Sequence, residues 1–166
     1  LSSKIIVGHG KDGIKLGNEY RLPPAVADFI PMHHGTSRID YFYNKALDQQ
    51  SEEAGTLSEE DFRYPGPKPN TKETGLLMIC EAVEAAVRSL KNPTLNKIES
   101  MADKIIEKKL KEEQLDECPL TMSDLRRIKG DVDGRHGMMS VFRGIYHLRI
   151  EYPDQKKELQ EENVSK

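Results

Sequence analysis

Val26-Ala27-Asp28-Phe29-Ile30-Pro31-Met32-His33-His34-Gly35 closes a helical segment on two adjacent histidines and a glycine. The segment opens at Pro23-Pro24, because proline is tolerated in the first turn of a helix. Val26, Ile30 and His33 stand at i, i+4 and i+7, so His33 points inward with the apolar stripe. Pro31 is expected to kink the helix just before the histidines, and Gly35 to cap it. Neighbours on a regular helix diverge by roughly a quarter turn or more. Gathering both imidazoles at one point therefore needs the kink or the cap. His9 upstream and Glu81 downstream complete a set of four that reads as part of a metal site.

Outward from this pair the chain reads as helices. Ser2 or Ser3 can cap a first helix running to about Tyr20, with Ile5, His9 and Leu16 near one face. Its glycines Gly8, Gly10, Gly13 and Gly17 each cost a helix roughly 0.5–1 kcal/mol relative to alanine. Packing must hold it, and the glycines permit close backbone approach. Ser37 is expected to cap a third helix, Arg38 to about Gln50. Residues 51–70 are acidic and then proline-rich, a stiff loop rather than an element. The clearest 3.6-residue period runs from about Thr71 to Leu90, through Leu76, Ile79, Cys80, Val83, Val87 and Leu90. Asn92-Pro93 breaks it, and Thr94 opens a fifth helix with Leu95, Ile98, Met101, Ile105 and Ile106. That helix fades into the charged run Lys108–Glu113. Thr121-x-x-Asp124 resembles a capping box and starts a sixth helix, interrupted at Gly130–Gly137 and resuming to Pro153. No strand-period alternation persists, so the architecture is all-α.

Bulk properties narrow the function. The 166 residues suffice for one domain with a core, and 36% are apolar against 32% charged. The net charge of −3 gives no electrostatic case for binding DNA, RNA or a membrane surface. Cys80 and Cys118 form no C-x-x-C pair and read as reduced cytosolic thiols. No apolar run is long enough for a bilayer, and no leader pattern opens the chain. A first residue Leu1 in place of Met suggests a piece of a longer protein.

Imidazole suits borderline transition metals, and a metal so held can lower the pKa of a bound water for phosphoester hydrolysis. The ordinary readings are plainer. A lone histidine on an apolar face is usually a core residue with a hydrogen-bond partner. Glu81 by default is a solvated helix residue. His136 and His147 read as structural or exposed. Asp131-x-Asp133-Gly134 lacks the later ligands of a calcium loop and reads as a turn.

Several strings go further: His9-x-x-x-Gly13, His33-His34-Gly35-Thr36, Tyr41-Phe42-Tyr43-x-Lys45-Ala46 and Asp61-Phe62-Arg63-Tyr64-Pro65-Gly66-Pro67-Lys68-Pro69. Val83-Glu84-Ala85-Ala86-Val87-Arg88-Ser89-Leu90, Gln114-Leu115-Asp116-Glu117-Cys118 and Arg149-Ile150-Glu151-Tyr152-Pro153 follow. Together they resemble the cytoplasmic domain of the seven-transmembrane HD-domain phosphodiesterases, over nearly the whole chain.

That resemblance implies an HD-domain-like helical bundle at residues 1–153, missing its first helices, and a charged tail at 154–166. It implies metal-dependent hydrolysis of cyclic di-AMP to linear pApA, with two iron or manganese ions in the intact site. His9, His33 and His34 would be ligands sharing one metal. Glu81 falls where the family has an Asp ligand to the other. Glu can coordinate, but its extra methylene moves the oxygens by more than about an ångström, against a tolerance of about 0.2 Å. Arg38, Tyr64 and Lys68 are candidates for phosphate or adenine contact. The cyclic dinucleotide is the implied partner. The membrane enters only through upstream segments, which makes this a cytoplasmic domain of a bacterial membrane protein.

The chain departs from the family in having no His-Asp dipeptide. It is therefore expected to be a partial catalytic domain, inactive or nearly so alone. The alternative is a degenerate module that binds a nucleotide or partner without hydrolysis. The cyclic di-GMP branch ranks behind, since Gly35 and not an acidic residue follows the histidine pair. Gly130–Gly137 resembles an insertion away from the ligands.

Overall fold

The computed structural model describes residues 2–49, 57–130 and 136–148. Among them lie eight α-helices: α1 Ser2–Glu19, α2 Pro24–Ala27, α3 Phe29–Met32, α4 Asp40–Asp48, α5 Lys72–Arg88, α6 Leu95–Lys111, α7 Met122–Lys129 and α8 Gly137–Leu148. A 3-10 turn at Glu59–Phe62 is the remaining helical element, and a lone antiparallel bridge joins Arg38 to Arg63. The all-α expectation holds.

The core is built on α5. Met78, Ile79 and Val83 are fully buried, and pack with Ala102 of α6, Leu115, Cys118, Leu125 of α7 and Met138 of α8. Thr71 caps α5 through a reciprocal box with Thr74, and Thr121 caps α7 through the expected box with Asp124. The predicted stripe on α5 is right at Ile79 and Val83. Leu76 instead stands 40% exposed, and Met78 takes the buried place.

Upstream, α1 packs on α3, and α3 on α5. Two of the α1 glycines explain that approach. A Cβ at Gly13 would lie 2.8 Å from Ile30 Cγ2, and one at Gly17 would lie 3.1 Å from Ile30 Cδ1. Gly8 and Gly10 have nothing within 4 Å, so close packing accounts for only half of the glycines.

Three expectations are corrected. The helix before the histidines is not kinked at Pro31 but broken at Asp28 into α2 and α3. A proline ring clashes with the carbonyl four residues back, here Ala27, so the chain restarts and Pro31 falls in the first turn of α3. The third helix also starts later than expected, at Asp40, and without a side-chain cap. Ser37 is committed elsewhere: its hydroxyl accepts from Lys109 Nζ at 2.7 Å. The charged run after Ile106 does not fade, since α6 continues to Lys111. The break between α7 and α8 falls at the expected Gly130–Gly137, whose residues 131–135 lie outside the described residues, as do the Arg149–Pro153 string and the charged tail.

Candidate metal centre

His33 and His34 follow a helix of only four residues, so their placement depends on the turn that comes next. His33 keeps helical angles, φ −64° and ψ −22°. Gly35 then takes φ +56°, the left-handed region that favours glycine. A Cβ there would also lie 2.7 Å from both Gln114 Oε1 and Met78 Cε. Gly35 N–H donates to the Met32 carbonyl at 3.1 Å and Ser37 N–H to the His34 carbonyl at 3.1 Å. Before this turn the two rings lie with their centroids 3.9 Å apart.

α1 brings His9 to the same point. One ring nitrogen from each of His9, His33 and His34 lies within 4.8 Å of the other two. The hydrogen bonds assign the tautomers. His33 Nδ1 donates to the Ile30 carbonyl at 2.7 Å, and His9 Nδ1 donates to the Ile6 carbonyl. With Nδ1 so engaged, Nε2 is the atom each ring has left to meet a metal ion or a further partner. Those two Nε2 atoms face each other at 3.2 Å. Two imidazole nitrogens this close need a proton or a metal ion between them. Two nitrogens each about 2.1 Å from one ion lie about 3.0 Å apart at a right angle and about 3.4 Å apart at the tetrahedral angle. The donor set therefore fits a transition metal ion, and backbone carbonyls orient the two rings as they do in histidine metal sites.

The electrostatics agree with that use. Burial, then the neighbouring His33, His9 and Lys109, lower the His34 pKa to about 3, so its imidazole stays neutral. Tyr64 stacks on His34 at 4.1 Å between centroids and 21° between planes. Its phenol is pushed up to about 12, by burial and then by the Glu81 charge, so it remains a neutral hydroxyl. Glu81 Oε2 lies 3.6 Å from His34 Nδ1. Its carboxyl is raised above the ordinary value, by burial foremost. Glu81 is thus beside the histidines but outside the set of three. A carboxylate there can orient His34 through Nδ1 or take an ion of its own on the far side.

The other candidates separate. The Arg38 guanidinium donates to Asp40 at 2.8 Å and Glu59 at 2.7 Å and lies over the Tyr43 ring, so its charge is already balanced within the fold. Tyr64 lines a narrow cleft of about 40 Å³ together with His9, His33, His34 and Gly66. That space has room for an ion or a water, whose share of liquid volume is about 30 Å³, but not for a dinucleotide. Lys68 is half-buried on the proline-rich segment that supplies Tyr64. A larger hollow of about 960 Å³, along α5, α7 and α8, includes none of the candidate ligands.

Sequence reasoning missed two residues here. Lys109 is 9% exposed, and its ammonium is close enough to bear on both His34 and Glu81. Gln114 is 1% exposed; its amide donates to Thr36 Oγ1 at 3.0 Å and accepts from Thr36 N–H at 2.9 Å. The signal for Lys109 was its register: Ile98, Ala102, Ile105 and Lys109 follow one stripe.

No protein-family profile matches the chain. The cyclic-di-AMP phosphodiesterase PgpH of Bacillus subtilis is 40% identical over 159 residues, 96% of this chain and 21% of that protein. The cyclic-di-AMP phosphodiesterase PgpH of Listeria monocytogenes is 39% identical over 155 residues, 93% of this chain and 20% of that protein. The crystal structure of the L. monocytogenes PgpH HD domain in complex with cyclic-di-AMP superposes with a TM-score of 0.77 at 38% identity, covering 91% of this chain and 66% of that one. The chain belongs to the HD-domain family. As an HD-domain protein it spans about a fifth of the length of the curated relatives it matches. Among the described residues no helix is long and apolar enough to cross a membrane.

Proposed function

We propose that this chain forms one wall of the metal centre of a cyclic di-AMP phosphodiesterase, which opens the ring to linear pApA. The observation that carries the reading is the pair of facing Nε2 atoms on His9 and His33, with His34 beside them. The similarity to PgpH phosphodiesterases, one solved with cyclic-di-AMP, supports the substrate class. Iron or manganese would be held by His9, His33 and His34, with Glu81 as the carboxylate beside them, for a second ion or to orient His34. Such an ion, when bound, supplies Lewis-acid charge and an acidified water for attack on phosphorus.

The chain's own residues do the rest. Ile6 and Ile30 carbonyls hold Nδ1 protons so that Nε2 stays open. Tyr64 packs His34 in place and keeps water from that ring face. Tyr64 and Lys68 border the approach to the histidines and are the residues proposed to meet adenine and phosphate, whereas Arg38 contributes by bracing the turn. The working protein would present this wall from the cytoplasmic side of a membrane, with further ligands from outside these 166 residues.

The test is metal analysis of the purified chain beside a His33→Ala, His34→Ala double variant. The chain is expected to retain manganese or iron and the variant to lose it; equal metal in both rejects the ligand assignment. The same preparation with manganese is expected to turn over little or no cyclic di-AMP, for no His-Asp dipeptide is present to supply the remaining ligands. Turnover at the rate of the longer relatives would overturn that.

A further inference from the structure

The helix that ends in the histidine pair is too short to fix its own position. α3 has four residues, and the turn beyond it runs through Gly35, Thr36 and Ser37 before the chain leaves for α4. Something outside α3 must hold the two imidazoles to the accuracy a metal requires, about 0.2 Å. The far end of α6 provides it. Lys109 Nζ donates to Ser37 Oγ at 2.7 Å. Ser37 N–H in turn donates to the His34 carbonyl at 3.1 Å, and the Ser37 carbonyl accepts from Tyr64 N–H at 3.1 Å. One buried hydroxyl residue therefore joins the ammonium to the backbone of His34 and of the tyrosine stacked on it.

An ammonium is a poor choice for mere filling. Lysine is almost never fully buried unless paired, and desolvating its charge is costly. Lys109 is buried, and Ser37 is itself 6% exposed. Burial pushes the Lys109 amine down, while Glu112, Glu81 and Asp40 pull it back up. An apolar residue on that stripe would pack at no such cost but could not bond Ser37.

We propose that Lys109 is a positioning residue of the metal centre, holding His34 and Tyr64 in place through Ser37. The inference rests on the proposed metal-binding reading and deepens it. Lys109 acts through Ser37 rather than on an ion or substrate. Ser37 is one step removed from His34 and Lys109 two; partners that orient metal ligands typically change metal affinity by 10–100-fold.

The test uses the chain as it stands, loaded with cobalt(II) as a spectroscopic probe, and the variants Lys109→Met and Ser37→Ala, each checked for folding by circular dichroism. Lys109→Met keeps the aliphatic stem and deletes the donor; Ser37→Ala deletes the acceptor. Both are expected to bind cobalt at least tenfold more weakly, with an altered visible spectrum, and the double variant to be no worse than either single one. A folded Lys109→Met or Ser37→Ala that binds cobalt with the parent's affinity and spectrum overturns the positioning role. Should Lys109→Met fail to fold, Ser37→Ala decides alone. Failure of the parent chain to bind cobalt, with His33→Ala, His34→Ala indistinguishable from it, overturns the metal reading and this inference with it.

Discussion

The His34 imidazole carries a consequence that can be read without any metal. In an unfolded chain a histidine titrates near 6.5, whereas here burial, then the neighbouring His33, His9 and Lys109, keep it neutral down to about 3. Between those values the unfolded state binds a proton that the folded state refuses. Stability therefore rises with pH through this window and falls as the solution is acidified below about 6.5. In the chelator-treated chain, the unfolding free energy from urea titrations is expected to drop between pH 7 and pH 5, and less steeply in His34→Gln. Parallel slopes for parent and variant would show that His34 is protonated as readily folded as unfolded. This residue and its partners also mark how far the sequence could be read. His9, His33 and His34 were legible because imidazole is scarce and chemically particular. Lys109 was not: a lysine inside a run of lysines and glutamates looks like solvated surface, and only its register on α6 betrays the burial.

At the scale of elements, α5 was legible because apolar residues recur along it at helical spacing, and its limits shifted by no more than two residues, although Leu76 of the expected stripe is exposed. The split of α2 from α3 was not, because a proline's effect falls on the carbonyl four residues earlier rather than where the proline stands. The glycines of α1 invite a paired test. Gly10 has no heavy atom within 4 Å of the place a Cβ would take, so Gly10→Ala is expected to stabilise the chain by about 0.5–1 kcal/mol. Gly13 faces Ile30 at 2.8 Å, so Gly13→Ala is expected to push α1 from α3, lower stability and weaken metal binding although no ligand is touched. Denaturation curves and metal titrations on the two variants check this. Similar behaviour of both would mean that α1 does not depend on close approach to α3.

For the whole molecule, the histidines come from two parts that are held unequally. His33 and His34 adjoin α3, which packs on α5 and is clamped from the α6 end by Gln114 and Lys109. His9 rides on α1, whose packing is against α2 and α3 and whose Ile5 and Leu16 are 69% and 54% exposed. An ion shared by the three would thus be the strongest tie between α1 and the core. A ligand that binds only the folded state stabilises by about 2.7 kcal/mol when present at 100 times its Kd. Manganese at that excess is expected to raise the unfolding midpoint of the chain and to slow amide exchange chiefly in α1, with far less change in α5 and α6. His9→Ala should remain folded, because His9 is exposed and contributes nothing to the core, yet lose the protection of α1. If exchange in α1 is equally slow with and without manganese, or the protection survives in His9→Ala, then α1 is held by its glycine-mediated packing on Ile30 alone, and His9 does not join the other two on a metal.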